Sequence, residues 1–303
     1  MHFCMNRVRF FLLLTMSHTF YNIMNYPVPS PTTQFSWLEE DTNQSNTGLD
    51  ARSREQEPSE IMSVYLDYIH SYAWMYRSIP FVEQIYLCNS ITFNALHEGS
   101  DIDILIITKP GMLWLARLRS WIMFTVLWLK RFGRNKVMKF CLTYYIDREY
   151  CNLYQTALQP YDLYLCYWIA HLVPLYSANT SYMDEIYTSN HWITHFLPNI
   201  QLGQNINLWL ELIIGETRFK RIMEKLIAWL PWLWRLHIVL IKALWLPILA
   251  YKTRKMGDRW RGIIISDTML KFYHDRRKRV NYQYKQAITP FEKKENYDDE
   301  SLF

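Results

Sequence analysis

The sequence predicts an α+β (α/β) protein: a small mixed-sheet core followed by a mostly helical C-terminal half. Three observations carry this. Ser100–Thr108 alternates polar and apolar residues and then turns wholly aliphatic, the pattern of a strand entering a buried sheet. Two further β-like runs, Phe81–Cys88 and Lys139–Ile146, lie on either side of it. From about Tyr150 onward, apolar residues recur mainly at helical spacing.

The elements follow in order. Residues 1–60 read as a disordered or non-native extension, with Met62 an alternative start. Arg7 and Arg9 precede the apolar run Phe10–Leu14, which is too short for the hydrophobic region of a secretory signal. From Tyr26 to Glu60 the chain reads as a linker, with Pro27, Pro29 and Pro31 and little periodicity after them. A first helix begins near Ile61, with Val64, Tyr68, Tyr72 and Met75 as its apolar face, and ends before Pro80. After Phe81–Cys88 come a turn at Asn89–Ser90 and one or two helical turns over Ile91–Glu98, which Gly99 stops. The strand Ser100–Thr108 leads through Lys109-Pro110-Gly111 into a long helix from Met112 to about Phe132. The divisions are thus 61–150 for the sheet core, 151–287 for the helical part and 288–303 for a charged tail.

Composition narrows the chemistry. The chain has 303 residues but only 8 glycines, and neither dinucleotide-binding nor P-loop glycine patterns occur. A net charge of +5 is too modest to imply nucleic-acid binding. Five cysteines without a C-x-x-C pair argue against a zinc ribbon or disulfide framework and for a reducing, cytoplasmic compartment. The 13 Trp, 22 Tyr and 15 Phe require a large buried area or a partner surface. Residues 226–251, rich in Trp but interrupted by Arg235, His237, Lys242, Pro231 and Pro247, fit a packed core helix or an amphipathic helix contacting a membrane surface.

The residues with chemical potential are Asn89, Ser90, Asp101 and Asp103. Alternation along a strand projects Asp101 and Asp103 from one side, and two adjacent carboxylates call for a cation such as Mg²⁺ or Mn²⁺. The turn at Ser90 offers N–H groups and a hydroxyl to phosphate oxygens. Together these make an electrophilic clamp suited to phosphoryl or nucleotidyl transfer.

The segment YLCNSITFNALHEGSDIDILIIT resembles the nucleotidyltransferase superfamily, the DNA polymerase β-like fold, in its bacterial nucleotidyltransferase-domain branch. The pattern is a hydrophobic strand, Gly-Ser, about ten residues, then Asp-x-Asp and aliphatics; here ten residues separate Ser90 from Asp101. The flanks IPFVEQIYL and TKPGMLWLARL, and more distantly KFCLTYYID and SNHWITHFLPN, are similar to the same branch, over roughly 61–199.

The resemblance implies that Asp101 and Asp103 hold the catalytic metals and that Asn89 and Ser90 form the triphosphate-binding turn. An acceptor hydroxyl on a small molecule, RNA or protein would attack the α-phosphorus of a nucleoside triphosphate and release pyrophosphate. Two departures point instead to a catalytically degenerate binding or regulatory protein. Asn89 stands where the family has glycine, and a mid-strand third carboxylate would fall at Thr143. Asp147, at the end of the face bearing Cys141, Thr143 and Tyr145, is open to two roles: the base that activates the acceptor, or a strand-end residue opening the next turn. Lys109, Arg117 and Arg119 would either neutralise a triphosphate or mark a solvated face. His191 and His195 share a helix face without a third ligand, and packing or surface roles suit them better than zinc. The basic run from His274 to Arg279 would be a solvated helix face or a contact for nucleic acid or anionic lipid.

Overall fold

Isoleucine-rich β2 (Ile102–Thr108) forms the centre of a mixed sheet of seven strands in the order β5-β4-β1-β2-β3-β7-β6. The computed structural model describes residues 60–133, 136–158, 162–197, 200, 202, 211–229, 231–256, 263–272 and 282. The N-terminal extension, the linker up to residue 59, the basic run 274–279 and the charged tail 288–303 lie outside these. β1 (Val82–Cys88) runs antiparallel to β2, and β3 (Phe140–Asp147) runs parallel to it. The expected α+β class is the observed one.

Both faces of the sheet are covered, which explains why β1 and β2 are buried almost throughout. On one face Ile85, Leu87, Ile102, Ile104, Ile106, Phe140 and Tyr145 pack under α1 (Glu60–Ser71), α2 (Ala73–Tyr76) and α3 (Leu113–Val126). On the other, Tyr86, Leu105, Ile107, Tyr144 and Ile146 pack under α4 (Leu163–Ala170) and α5 (Glu185–Ser189).

Several sequence expectations change in detail. The buried face of α1 is Met62, Tyr65, Leu66 and Ile69, an i, i+3, i+4, i+7 set, whereas Val64 is 56% exposed. Met75 belongs to the separate turn α2, beyond a break at Tyr72. The helix after Gly111 stops at Val126, well short of Phe132. Trp128 takes a left-handed φ of 58°, and the N–H of Leu129 returns to the carbonyl of Phe124 at 2.8 Å, closing the helix end. His191–His195 is a 3₁₀ turn; with about three residues per turn, positions four apart do not share a face, and both histidines are exposed.

The chain beyond residue 150 is helical in α4, α5, α6 (Arg218–Trp229) and α7 (Pro231–Met256). It also adds four strands to the same sheet: β4 (Val173–Ser177), β5 (Ile213–Ile214), β6 (Ile264–Ile265) and β7 (Met269–Lys271). β4 pairs with β1, and β7 with β3. Arg117 is neither solvated nor near the carboxylates. It is buried, its guanidinium 4.0 Å above the Phe272 ring and 4.8 Å from that of Trp245. Lys109 pairs with Glu224 of α6, which also accepts from Phe81 N at 2.7 Å, at the Val82 end of β1.

Candidate active site

The antiparallel register sets Cys88 opposite Asp103, so the C-terminal end of β1 and the N-terminal end of β2 meet at one end of the central strands. There the chain leaves β1 through a tight 3₁₀ turn, Asn89–Ile91. Asn89 adopts φ 61°, a left-handed conformation that asparagine accepts more readily than most side chains. Phe93 N and Thr92 Oγ1 donate to the Asn89 carbonyl at 3.1 and 3.0 Å, and Ala95 N to that of Ser90 at 2.8 Å. Ser90 is half-buried beside the strand end.

Asp101 is held from both sides. The carbonyl of Ser100 accepts from the Tyr65 hydroxyl at 2.9 Å and from Met138 N at 3.0 Å, while Ile102 N donates to Lys139 O at 2.9 Å. Asp101 and Asp103 do face the same side, as strand alternation predicts, and the third group with them is Cys141 of β3; one ligand atom from each lies within 4.8 Å of the others. Arg131 forms an ion pair with Asp101.

Asp103 is the constrained member of the cluster. Its Oδ2 accepts from Asn89 Nδ2 at 2.9 Å, and the Asn89 Oδ1 in turn accepts from the indole N–H of buried Trp168 at 2.9 Å. Burial, and then the neighbouring charge of Asp101, push the Asp103 carboxyl above the usual carboxylate range; the Asn89 and Cys141 hydrogen bonds oppose this. Burial and the Asp103 charge push the Cys141 thiol up to about 12, so at neutral pH it is an S–H donor rather than a thiolate ligand.

The structure thus brings together Asn89, Ser90, Asp101 and Asp103. It does not bring Asp147 to them. Pairing between β2 and β3 slips after Asp103↔Cys141, resuming at Leu105↔Tyr144, so β3 carries an extra residue near Thr143. Beyond this bulge Tyr144 and Ile146 face the Asp103 side, while Tyr145, and by alternation Asp147, face α3. Asp147 pairs with Thr108, about 17 Å along β2 from Asp103 at ~3.3 Å per residue. It accepts from Gly111 N at 2.6 Å and Glu149 N at 3.1 Å, which makes it the residue that closes the strand end and opens the following turn. Thr143, at the expected third-carboxylate position, contacts Cys141 Sγ through its hydroxyl at 3.3 Å.

Arg131, Cys141 and Trp168 were not singled out from the sequence as site residues. Cys141 carries one usable signal: it lies on the strand face that also bears Thr143 and Tyr145 in the sequence pattern. Arg131 and Trp168 carry none, because only the folded chain brings them to the carboxylates.

Two carboxylates beside a turn rich in N–H groups can hold a hard divalent cation and polyphosphate oxygens together. The two oxygen donors fit Mg²⁺ or Mn²⁺, and a cation would relieve the like-charge stress on Asp103. The soft sulfur of Cys141 does not fit as a third ligand for such a hard ion. Searched against protein-family models, curated proteins and solved structures, the chain matches none.

Proposed function

We propose that this chain is a metal-dependent nucleotidyltransferase of the polymerase β-like fold, transferring NMP from a nucleoside triphosphate to a hydroxyl acceptor. One observation carries the reading: Asp101 and Asp103 converge beside the Asn89–Ser90 turn at one end of the central strands, with ligand atoms of the carboxylates within 4.8 Å of each other. Asp101 and Asp103 would hold Mg²⁺ or Mn²⁺, which when bound supplies positive charge to the triphosphate. The turn's N–H groups and the Ser90 hydroxyl orient the phosphates. The acceptor hydroxyl, on a small molecule, RNA or protein, forms a new bond to the α-phosphorus as the bond to pyrophosphate breaks, its proton passing to water. Asp147 takes no part, because it lies at the far end of the strands and its carboxylate is already committed to two backbone N–H groups.

Three features favour a second reading, a nucleotide-binding module without turnover. Asn89 occupies an oxygen of Asp103, Arg131 already neutralises Asp101, and Cys141 rather than a carboxylate completes the cluster.

Calorimetric titration of the full chain with ATP, GTP, CTP and UTP, each with Mg²⁺ and with EDTA, tests the site. Metal-dependent binding that Asp101→Asn/Asp103→Asn abolishes is expected, with pyrophosphate release once an acceptor is supplied. Binding without release across a broad acceptor panel selects the module. Failure of the folded protein to bind any nucleotide overturns both readings.

A further inference from the structure

Helix α6 is built inside out. Two of its charged residues, Lys220 and Glu224, are buried, Lys220 donating to Val82 O and to the Tyr176 hydroxyl at 3.1 Å and pairing with Glu216 at 2.7 Å. Its apolar stripe, Phe219, Ile222, Leu226 and Trp229, points to solvent, with Trp229 82% exposed. The spacing i, i+3, i+7, i+10 makes this one continuous helix face. Directly beside it runs a second exposed row, Arg218, Arg221 and Lys225, so every exposed charge on α6 is positive.

Helix α7 carries a further exposed apolar face. Trp234, Ile238, Ile241 and Trp245 pack onto the core, Trp245 edge-on to Trp121 of α3 at 5.8 Å, and Lys242 pairs with Asp267 at 2.6 Å. On its remaining circumference Trp232, Leu236, Val239, Leu240, Leu244 and Ile248 are all exposed. Residues 234–251 are long and apolar enough to cross a membrane by length and composition, but only 11% of that stretch is buried in the protein, so it is not an ordinary core helix. No acidic residue occurs between Glu224 and Asp258, whereas Lys225, Arg235, Lys242, Lys252, Arg254 and Lys255 do.

We propose that the α6–α7 pair docks in the plane of an anionic lipid surface, with the apolar stripe in the headgroup–acyl boundary and the basic row on the phosphates. A basic edge beside a Trp-, Phe- and Leu-rich face is the chemistry of an interfacial helix. A second copy of the chain is the poorer partner, because an antiparallel two-fold contact through this face would bring the Arg218–Arg221–Lys225 rows together. The stripe by which α7 packs on the core holds that helix alongside the protein body and opposes spanning. α6 is anchored at the Val82 end of β1 and the candidate active site lies at the Cys88 end, so docking leaves that site open to solution.

Flotation of the full chain with vesicles of phosphatidylcholine alone, or of phosphatidylcholine with phosphatidylglycerol, tests this. The protein should float with the mixed vesicles at low salt and be released at ~1 M salt. Arg218→Glu/Arg221→Glu/Lys225→Glu should weaken binding about 100-fold, at roughly fivefold per lost cation. Leu226→Ser/Trp229→Ser should also abolish flotation; these side chains are exposed, so near-UV circular dichroism should stay unchanged. A folded chain that stays with neither vesicle overturns the proposal. So does a concentration-dependent dimer in lipid-free solution that Leu226→Ser/Trp229→Ser dissociates, which assigns the face to a second copy. Retention on the vesicles at ~1 M salt and alkaline pH indicates a spanning segment and likewise refutes in-plane docking.

Discussion

Replacing Asn89 by glycine separates the two readings of the site most directly. The backbone change nearly cancels: glycine removes about 1 kcal/mol of left-handed strain but adds about 0.4–1 kcal/mol of unfolded-state entropy. What remains is the amide. Its 2.9 Å bond to the Asp103 carboxylate is worth about 1.5–3 kcal/mol. Losing its carbonyl strands the indole N–H of Trp168, which is 3% exposed, at a further ~1–3 kcal/mol. Water entering the vacated volume recovers part of this, leaving a net destabilisation of about 2–4 kcal/mol. Urea denaturation followed by Trp fluorescence reads it as a midpoint lowered by roughly 1 M. In the same variant Mg²⁺-dependent nucleotide affinity should rise, because Asp103 Oδ2 is released and backbone replaces side chain at the turn. An Asn89→Gly protein as stable as the parent refutes the hydrogen-bonded plug. A destabilised protein with unchanged nucleotide affinity refutes the idea that the plug competes with the ligand.

Two further predictions concern residues away from the carboxylate pair. Asp147→Ala should cost about 1–2 kcal/mol in thermal or urea unfolding, through loss of its hydrogen bonds from the N–H groups of Gly111 and Glu149, which belong to exposed residues that water can reach, while nucleotide affinity measured on the folded protein is unchanged; a stable but inactive variant would instead restore a catalytic role. His171 lies buried against Phe93, ring centroids 4.6 Å apart, and burial pushes its pKa down to about 4, opposed by its bond to Tyr167 O. The unfolded chain protonates near 6.5 and the folded chain only near 4, so stability should fall as pH drops from about 6.5, by about 3 kcal/mol at pH 4. Denaturation midpoints across that range should flatten in His171→Gln, and a parent profile already flat there would show that the imidazole is not buried neutral.

The sequence alone determined the three central strands and the pair of acids. Aliphatic β2 cannot be anything but a buried strand, and the alternation that makes it so also fixes Asp101 and Asp103 on one side. The sequence also marks a turn at Asn89–Ser90, whereas the left-handed φ of 61° at Asn89 emerges only in the folded chain. Tertiary structure decided what surrounds them. The two- and three-residue strands β5, β6 and β7 have no periodicity to read; they are strands only through pairing with β4 and β3. One extra residue near Thr143, which no local pattern encodes, reverses which face the rest of β3 presents and turns Asp147 off the side that bears the acids, while the length of the strand already separates it from Asp103; Cys141, before the slip, stays beside them. In α6 the ion partners Lys109 and Glu216 and the carbonyl of Val82 turn the charged side inward and the apolar side out, against what its own amphipathic pattern predicts. Periodicity reports that two faces differ, but only the partners supplied by the rest of the chain decide which of them is buried.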